Sequence, residues 1–398
     1  ASNSSLSSIT VTNDTTAPTV SSVSSNTADG TYKIGDVIAI AVELSEVVTV
    51  TGTPQLTLET GTTDRTADYA SGSGTNTLVF NYTVQSGDAT SDLAYTGSSS
   101  LALNGGTILD NANNSATLTL PTVGGTGSLS NASAVVVDGV RPAFTAGATT
   151  GGTKSLVLSL GEAVSGAPEA GDFAVTVNDV ANAVTAVSLA GNGLSITLTL
   201  TNFVTNSSTV AVAYTANSDA SKQLSDASGN TVASNSSLSS ITVTNDTTAP
   251  GSPTNDLVVS AAQGGINALE INAGVSVLVD LTGTSAQAGD SIEILLDGSS
   301  FPTQAKYVLL ETDISNGSAM VNVNSTSGWG VDGNKGLSAR ITDAAGNLGD
   351  SGGALTVILD TTAPTIDAVS ANWGSVLNST EDNSDGTVSV TTSGAEDG

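Results

Sequence analysis

The chain contains neither cysteine nor histidine. Without thiols there is no disulfide framework, no thiolate metal site and no thiol nucleophile. Without imidazole, the commonest general base at neutral pH and the commonest transition-metal ligand are both missing. Positive charge is scarce too: 8 Lys and Arg face 37 Asp and Glu, for a net charge of −29 and a pI near 4.1. A polyanion of this kind repels nucleic acid and anionic lipid surfaces. Neither is expected as a partner, while divalent counter-ions are in demand. Aromatic residues make up 3% of the chain, so no aromatic platform for a planar ligand stands out. No apolar run approaches the roughly 20 residues of a membrane span. Ala1 falls inside a domain, so the absence of a signal peptide carries no information.

What is present is Ala, Val, Leu, Ile, Thr, Ser and Gly, the palette of thin β-sandwiches with cores of β-branched and small side chains. The organising element is Asp246-Thr247-Thr248-Ala249-Pro250. The same five residues stand at 14–18 and 360–364, and Asp138-Gly139-Val140-Arg141-Pro142 is a degenerate copy. The aspartates are 124, 108 and 114 residues apart. Each follows an apolar-alternating run that reads as a final strand, at 9–12, 134–137, 241–244 and 355–358. Proline fixes φ and cannot donate to a sheet ladder, so it closes one module before the next begins. Residues 1–18 and 233–250 are identical letter for letter.

These joints divide the chain into a final strand and linker at 1–18, complete domains at 19–140, 141–250 and 251–364, and the start of a further domain at 365–398. We call the complete domains beads one to three. Roughly 110 residues suffice for one modest core each. Period-two alternation predicts half-buried antiparallel strands. They fall at 37–44, 55–59 and 77–84 in bead one, and at 155–160, 173–177, 194–200 and 209–214 in bead two. In bead three they fall at 275–281, 291–298 and 335–341. Clusters of Gly, Asn, Asp and Ser between them supply turns. No sustained helical period is seen, and the expected class is all-β: tandem sandwiches in an extended array.

A second element recurs just before the final strand. It reads Asp226-Ala227-Ser228-Gly229-Asn230 in bead two and Asp343-Ala344-Ala345-Gly346-Asn347 in bead three. Bead one has the weaker Asp110-Asn111-Ala112-Asn113-Asn114. Asp caps such a turn while Gly or Asn takes the positive-φ position.

Joint linkers of the Asp-Thr-Thr-Ala-Pro type, with Asp-Ala-Ala-Gly-Asn before a last strand, resemble bacterial immunoglobulin-like repeats of large surface proteins and adhesins. Bead one, with Ala28-Asp29-Gly30-Thr31-Tyr32-Lys33-Ile34-Gly35-Asp36, resembles a repeat common among them. Bead two, with Ala170-Gly171-Asp172-Phe173-Ala174-Val175-Thr176-Val177-Asn178, is similar to the repeat of a cyanobacterial swimming-related cell-surface protein. The resemblance implies an extracellular rod of immunoglobulin-like sandwiches on a bacterial cell surface. An adhesin stalk, a filament or a surface layer would all fit, with roles in cell adhesion or biofilm. Its partners would be neighbouring domains and copies of itself.

The resemblance also implies calcium at the joints. Calcium takes six to eight oxygen ligands, so a single joint aspartate is not a site. Asp14, Asp138, Asp246 and Asp360 would need further oxygens, for which Asp29, Asp36, Asp110, Asp226, Asp343 and Asp297 are candidates by residue type. None belongs to a consecutive calcium-loop pattern, and turn capping is the plain alternative for each. Glu43 with Glu46, or Glu59 with Asp64, could pair for glycosidase work but have no sugar platform beside them. The abundant hydroxyls have no activating base. No catalytic residue and no enzyme activity are expected. A carbohydrate-binding accessory module is the alternative function, with Trp329 as its surface anchor and core packing as that residue's other reading.

Overall fold

Strict alternation of apolar and polar residues puts one face of each strand against a core and leaves the other in water. The computed structural model of the chain describes residues 13–234, 236–238, 241–253, 257–259, 265–373 and 385–394. The strand expected at 9–12 lies outside these residues. The architecture is almost wholly β, and the described residues form three separate hydrophobic cores, spanning 23–137, 156–232 and 257–359.

In bead one the Val37–Thr51 strand is the spine, flanked antiparallel by Val20–Ser25 and Thr75–Thr83. Ile38, Ile40 and Val42 stand opposite Tyr82, Phe80 and Leu78, all buried. Arg65–Ser71 and Gln55–Glu59 extend this sheet. A second sheet holds Gly30–Lys33, Val135–Asp138 and Ala89–Thr90, with the final strand parallel to Gly30–Lys33. The spine outruns the expected 37–44 because its pairing slips between Glu43 and Val48. Beyond that slip it takes Thr107–Leu109 as a new partner. The polar Ser45-Glu46 step is therefore a bend in a strand, not its end.

Bead two packs a five-stranded sheet, in which Phe144–Thr150 lies between Thr153–Leu160 and the parallel final strand Ile241–Thr244, on a second sheet. Phe173–Val177 and Val210–Tyr214 form the centre of that second sheet. Phe144, Phe173 and Tyr214 meet in the core with centroids 5.3–6.4 Å apart.

Bead three pairs Val275–Asp280 with Ser318–Val323 in one sheet, and Ser291–Leu296 with Gly333–Thr342 and Leu355–Leu359 in the other. It also contains short helices at Ala268–Ala273 and Glu311–Asn316, which period-two reading does not reveal. The first has a local signature: Asn267 accepts from the Leu269 and Glu270 amides while Glu270 accepts from the Asn267 amide. This reciprocal pair satisfies donors at the helix start. After the joint at Asp360, Thr365–Ala371 and Val388–Ser393 form a two-stranded antiparallel ribbon.

Trp329 is a core residue rather than a surface anchor: it is 4% exposed, its indole donates to the Ser325 carbonyl at 2.8 Å, and its ring lies 5.0 Å from Phe301. The carbohydrate-binding alternative loses the residue on which it rested. Truncation to alanine should empty a core site and destabilise bead three by about 3–5 kcal/mol. Calorimetry should show the bead-three transition moving down with the other two unmoved. A stability change under ~0.5 kcal/mol, typical of a surface substitution, would contradict the core assignment.

Candidate functional site

The two recurring motifs are about a hundred residues apart in each bead, and the fold brings them together. In each pre-final turn, one Asp carboxylate oxygen accepts the backbone amide of the Asn four residues on, and the other oxygen accepts its side-chain Nδ2. The distances are 2.7 and 2.7 Å at Asp110–Asn114, 2.8 and 3.0 Å at Asp226–Asn230, and 2.7 and 2.8 Å at Asp343–Asn347. The residue before each Asn is left-handed: Asn113 at φ 70°, Gly229 at 90° and Gly346 at 99°. Only Gly and Asn visit this region cheaply.

The same Asn Nδ2 then donates to the backbone carbonyl of the joint aspartate. Asn114 reaches Asp14 at 3.2 Å, Asn230 reaches Asp138 at 2.9 Å, and Asn347 reaches Asp246 at 3.0 Å. Each joint aspartate in turn accepts the amide two residues on, at 2.9, 3.2, 2.9 and 3.0 Å for Asp14, Asp138, Asp246 and Asp360. The preceding bead adds its own contacts. The Ile34 amide donates to Asn230 Oδ1 at 3.1 Å. Asn206 of bead two donates to the Asp246 carbonyl at 2.7 Å and accepts the Asp246 amide at 2.9 Å. The Asp246 carbonyl is thus held by asparagines of two beads.

A third acidic residue joins each pair. At the first joint Asp14, Glu46 and Asp110 bring one carboxylate oxygen each within 4.8 Å of the others. Among the described residues, no other joint converges as closely, yet the arrangement repeats. Partial burial, with Asp110 and Asp14 beside it, pushes the Glu46 carboxyl above its ordinary value. Burial, with Asp226 and Asp138 beside it, does the same to Glu162. Asp290 is raised chiefly by burial, with Asp343 and Asp246 adding to it against the Gln287 and Ala344 amides that hydrogen-bond it. Asp110 runs the other way: burial alone would raise it, but hydrogen bonds from Asn114, Ala112 and Asn113 hold it below the usual range. At the third joint Asp246, Asp290 and Asp343 line a cavity of about 140 Å³ shared with Gly152 and Phe203 of bead two.

Chemically the donor set is all oxygen: carboxylates, with backbone carbonyls nearby. That suits hard divalent cations such as calcium or magnesium and not zinc or copper. The geometry gathers Asp14 with Asp110, Asp138 with Asp226, and Asp246 with Asp343. It does not bring the remaining candidates into these groups. Asp29 accepts the Ala134 amide, Asp36 accepts the Lys33 amide and pairs with its ammonium at 3.7 Å, and Asp297 accepts the Gly336 amide of the neighbouring strand. Asp360 has Asp332 for a neighbour, which accepts from Thr361 and Thr362.

Glu162 and Asp290 are the members that sequence reading overlooks, while Glu46 is read there only as a partner of Glu43 and the three asparagines only as turn residues. Leu44-Ser45-Glu46 and Leu160-Gly161-Glu162 do carry a signal, since Leu44 and Leu160 both face the first residue of their bead's opening strand. Asp290 follows Gly289 in an unrelated loop and carries none.

Residues 131–219 match the family model of a putative flagellar system-associated repeat. The span of that repeat contains Asp138 and Glu162 and ends before Asp226. No curated protein matches the chain. Among solved structures, the N-terminal part of the bacterial S-layer protein SbsC is 16% identical, with 55% of this chain and 44% of that one covered and a TM-score of 0.24. An I-band fragment from titin is 10% identical over 88% of this chain and all of that one, with a TM-score of 0.28. The adhesin InvE of Yersinia pseudotuberculosis is 12% identical over 56% of this chain and 58% of that one, with a TM-score of 0.24. The chain thus spans less than half of the S-layer chain.

Two outcomes follow. Asn230 is 3% exposed, and Asn230→Ala takes the side-chain donor from the buried Asp226 carboxylate and the half-buried Asp138 carbonyl. The cost should be about 1–3 kcal/mol, seen as earlier unfolding of bead two in urea. The pH response follows from the raised carboxyls. Because the folded state holds these protons more tightly than the unfolded chain, their contribution to stability is full below the ordinary carboxylate value of about 4.3. It fades as pH climbs through the raised folded value. In chelator, the melting temperature should therefore rise as pH falls from 7 toward that window, and Glu46→Gln with Glu162→Gln should flatten the rise. Further acidification reverses the sign where Asp110 is protonated.

Proposed function

We propose that this chain is a load-bearing segment of a large exported bacterial surface protein, in which calcium at the joints stiffens a string of immunoglobulin-like beads. The observation that carries the reading is the threefold recurrence of one arrangement: joint aspartate, turn aspartate and a third acid, with the joint carbonyl fixed by an asparagine. A cation there would neutralise three like charges and bind residues of the linker to the bead that follows. The match of residues 131–219 to a flagellar-associated repeat supports a structural surface role. The lack of cysteine supports passage through an oxidising envelope without mispairing. The partners on this reading are neighbouring beads and other copies of the chain, outside the cell.

The test is thermal unfolding and small-angle scattering of the chain in chelator and then in millimolar calcium. Each filled joint should gain about 2.7 kcal/mol when calcium stands a hundredfold above its Kd, and the particle should lengthen. Asp110→Asn, Asp226→Asn and Asp343→Asn together should abolish both responses, and should also lower the melting temperature in chelator, because each removes one of the two acceptors that hold the turn asparagine. Identical curves with and without calcium would reduce the aspartates to turn caps and remove calcium from the function.

A further inference from the structure

At the third joint an aromatic ring crosses from bead two to bead three. Phe203 stands one residue before the end of the Ser195–Val204 strand. Val204 is buried in the bead-two core, whereas Phe203 belongs neither to that core nor to the core of bead three. Alternation along the strand turns the ring outward, where its apolar surface is free to meet a neighbour. The backbone on either side of it is pinned. The buried Asn182 side chain donates to the Asn202 carbonyl and accepts the Asn202 amide, both at 3.0 Å. The Gly152 amide donates to the Val204 carbonyl at 2.7 Å. The Lys154 ammonium lies 4.6 Å from the ring centroid, an attraction that further fixes the ring.

Bead three receives this ring at Gly289. A Cβ added there would lie 2.2 Å from Phe203 Cζ and 2.3 Å from Cε2, so a larger residue would collide with the ring. Gly289 also sits at φ 100°, a region that other residues avoid. Its amide donates to the Leu309 carbonyl at 2.9 Å, and the Leu309 amide donates to the Asp290 carbonyl at 2.8 Å. The notch is therefore tied into the bead-three fold. Ala288, Val308 and Leu310 line a cleft of about 590 Å³ that they share with Phe203. A second touch lies nearby, since a Cβ at Gly152 would stand 3.1 Å from the buried Ala345 methyl. At the second joint the corresponding contact is softer. There a Cβ at Gly229 would lie 3.2 Å from Cδ of Lys33, whose ammonium pairs with Asp36. A flexible lysine stem gives way, while a ring seated on backbone does not.

We propose that Phe203 is the plug of an interface that locks bead two to bead three without a cation, making the third joint stiffer than the second. Linked domains move relative to one another unless an apolar interface holds them, and the Gly289 notch is the surface that this ring fits. The inference goes beyond the calcium reading and does not rest on it.

The chain has no cysteine, so spin labels can be placed by substitution at the exposed Thr66, Thr185 and Thr312 of beads one, two and three. Pulsed electron resonance in chelator should give a narrow distance distribution for Thr185→Cys with Thr312→Cys. Thr66→Cys with Thr185→Cys, across the second joint, should give a broader one. Phe203→Ala should broaden the bead two to bead three distribution to the width found across the second joint. Both beads should stay folded, because the ring lies outside both cores. Ala345→Gln, which wedges a longer side chain against Gly152, should broaden the same distribution by an independent route. A broad bead two to bead three distribution in the unsubstituted chain, or one unmoved by both variants, would overturn the proposal. Calcium that narrows neither joint would refute calcium stiffening and leave this inference standing. A third joint that narrows only when calcium is added would refute this inference alone.

Discussion

The main-chain carbonyl of one aspartate at each joint is where everything converges. A linker between two sandwiches has few side chains to pack, and its backbone polar groups must find partners or water. Here the partner is supplied by an asparagine from the far end of the following bead. That asparagine is itself held by an aspartate four residues earlier, through its amide and its side chain at once. Orientation of the linker therefore depends on a turn that has already formed inside a folded bead. Stability of the bead and the path of the linker entering it are coupled through hydrogen bonds of 2.7–3.2 Å.

The same geometry concentrates charge of one sign. A turn aspartate turns both carboxylate oxygens to its asparagine, and the joint aspartate accepts the amide two residues on. Placing a third carboxyl beside them runs against electrostatics in a chain whose net charge is already −29. Burial first, and that repulsion after it, push the carboxyls of Glu46, Glu162 and Asp290 above their ordinary values. Hydrogen-bond satisfaction and charge repulsion are thus set against each other at the same few ångströms, once per bead.

Much of this was legible before any coordinates. The 55–59 and 173–177 runs are strands at those bounds, because clean alternation between turn residues leaves one solution. The turn reading of Asp226 and Asp343, with Gly229 and Gly346 in the left-handed position, follows from residue chemistry alone. What stayed hidden is long-range. That Asn114 would reach back a hundred residues to Asp14 depends on the final strand delivering its turn to the start of the bead, and no local pattern encodes that. The extension of the spine past Glu43 was masked by a polar step that reads as a terminus. Trp329 left its place open because a tryptophan in a Gly-Ser loop fits an exposed anchor as well as a core plug. Its indole bond to Ser325 decides the matter.

Asp14 and Asp246 stand in the same pentapeptide, yet one is received by Asn114 of bead one and the other by Asn347 of bead three, two beads of different strand plan. Reception by the following bead uses a backbone oxygen and a local turn in both cases, and at Asp246 the preceding bead adds Asn206 to it. The identical stretches at 1–18 and 233–250 lie at this shared coupling. Recombination between their coding segments would remove residues 19–250 as two entire beads, leaving Asn347 opposite an unchanged joint. A deletion bounded by the two stretches would take out beads one and two together and leave the core of bead three intact.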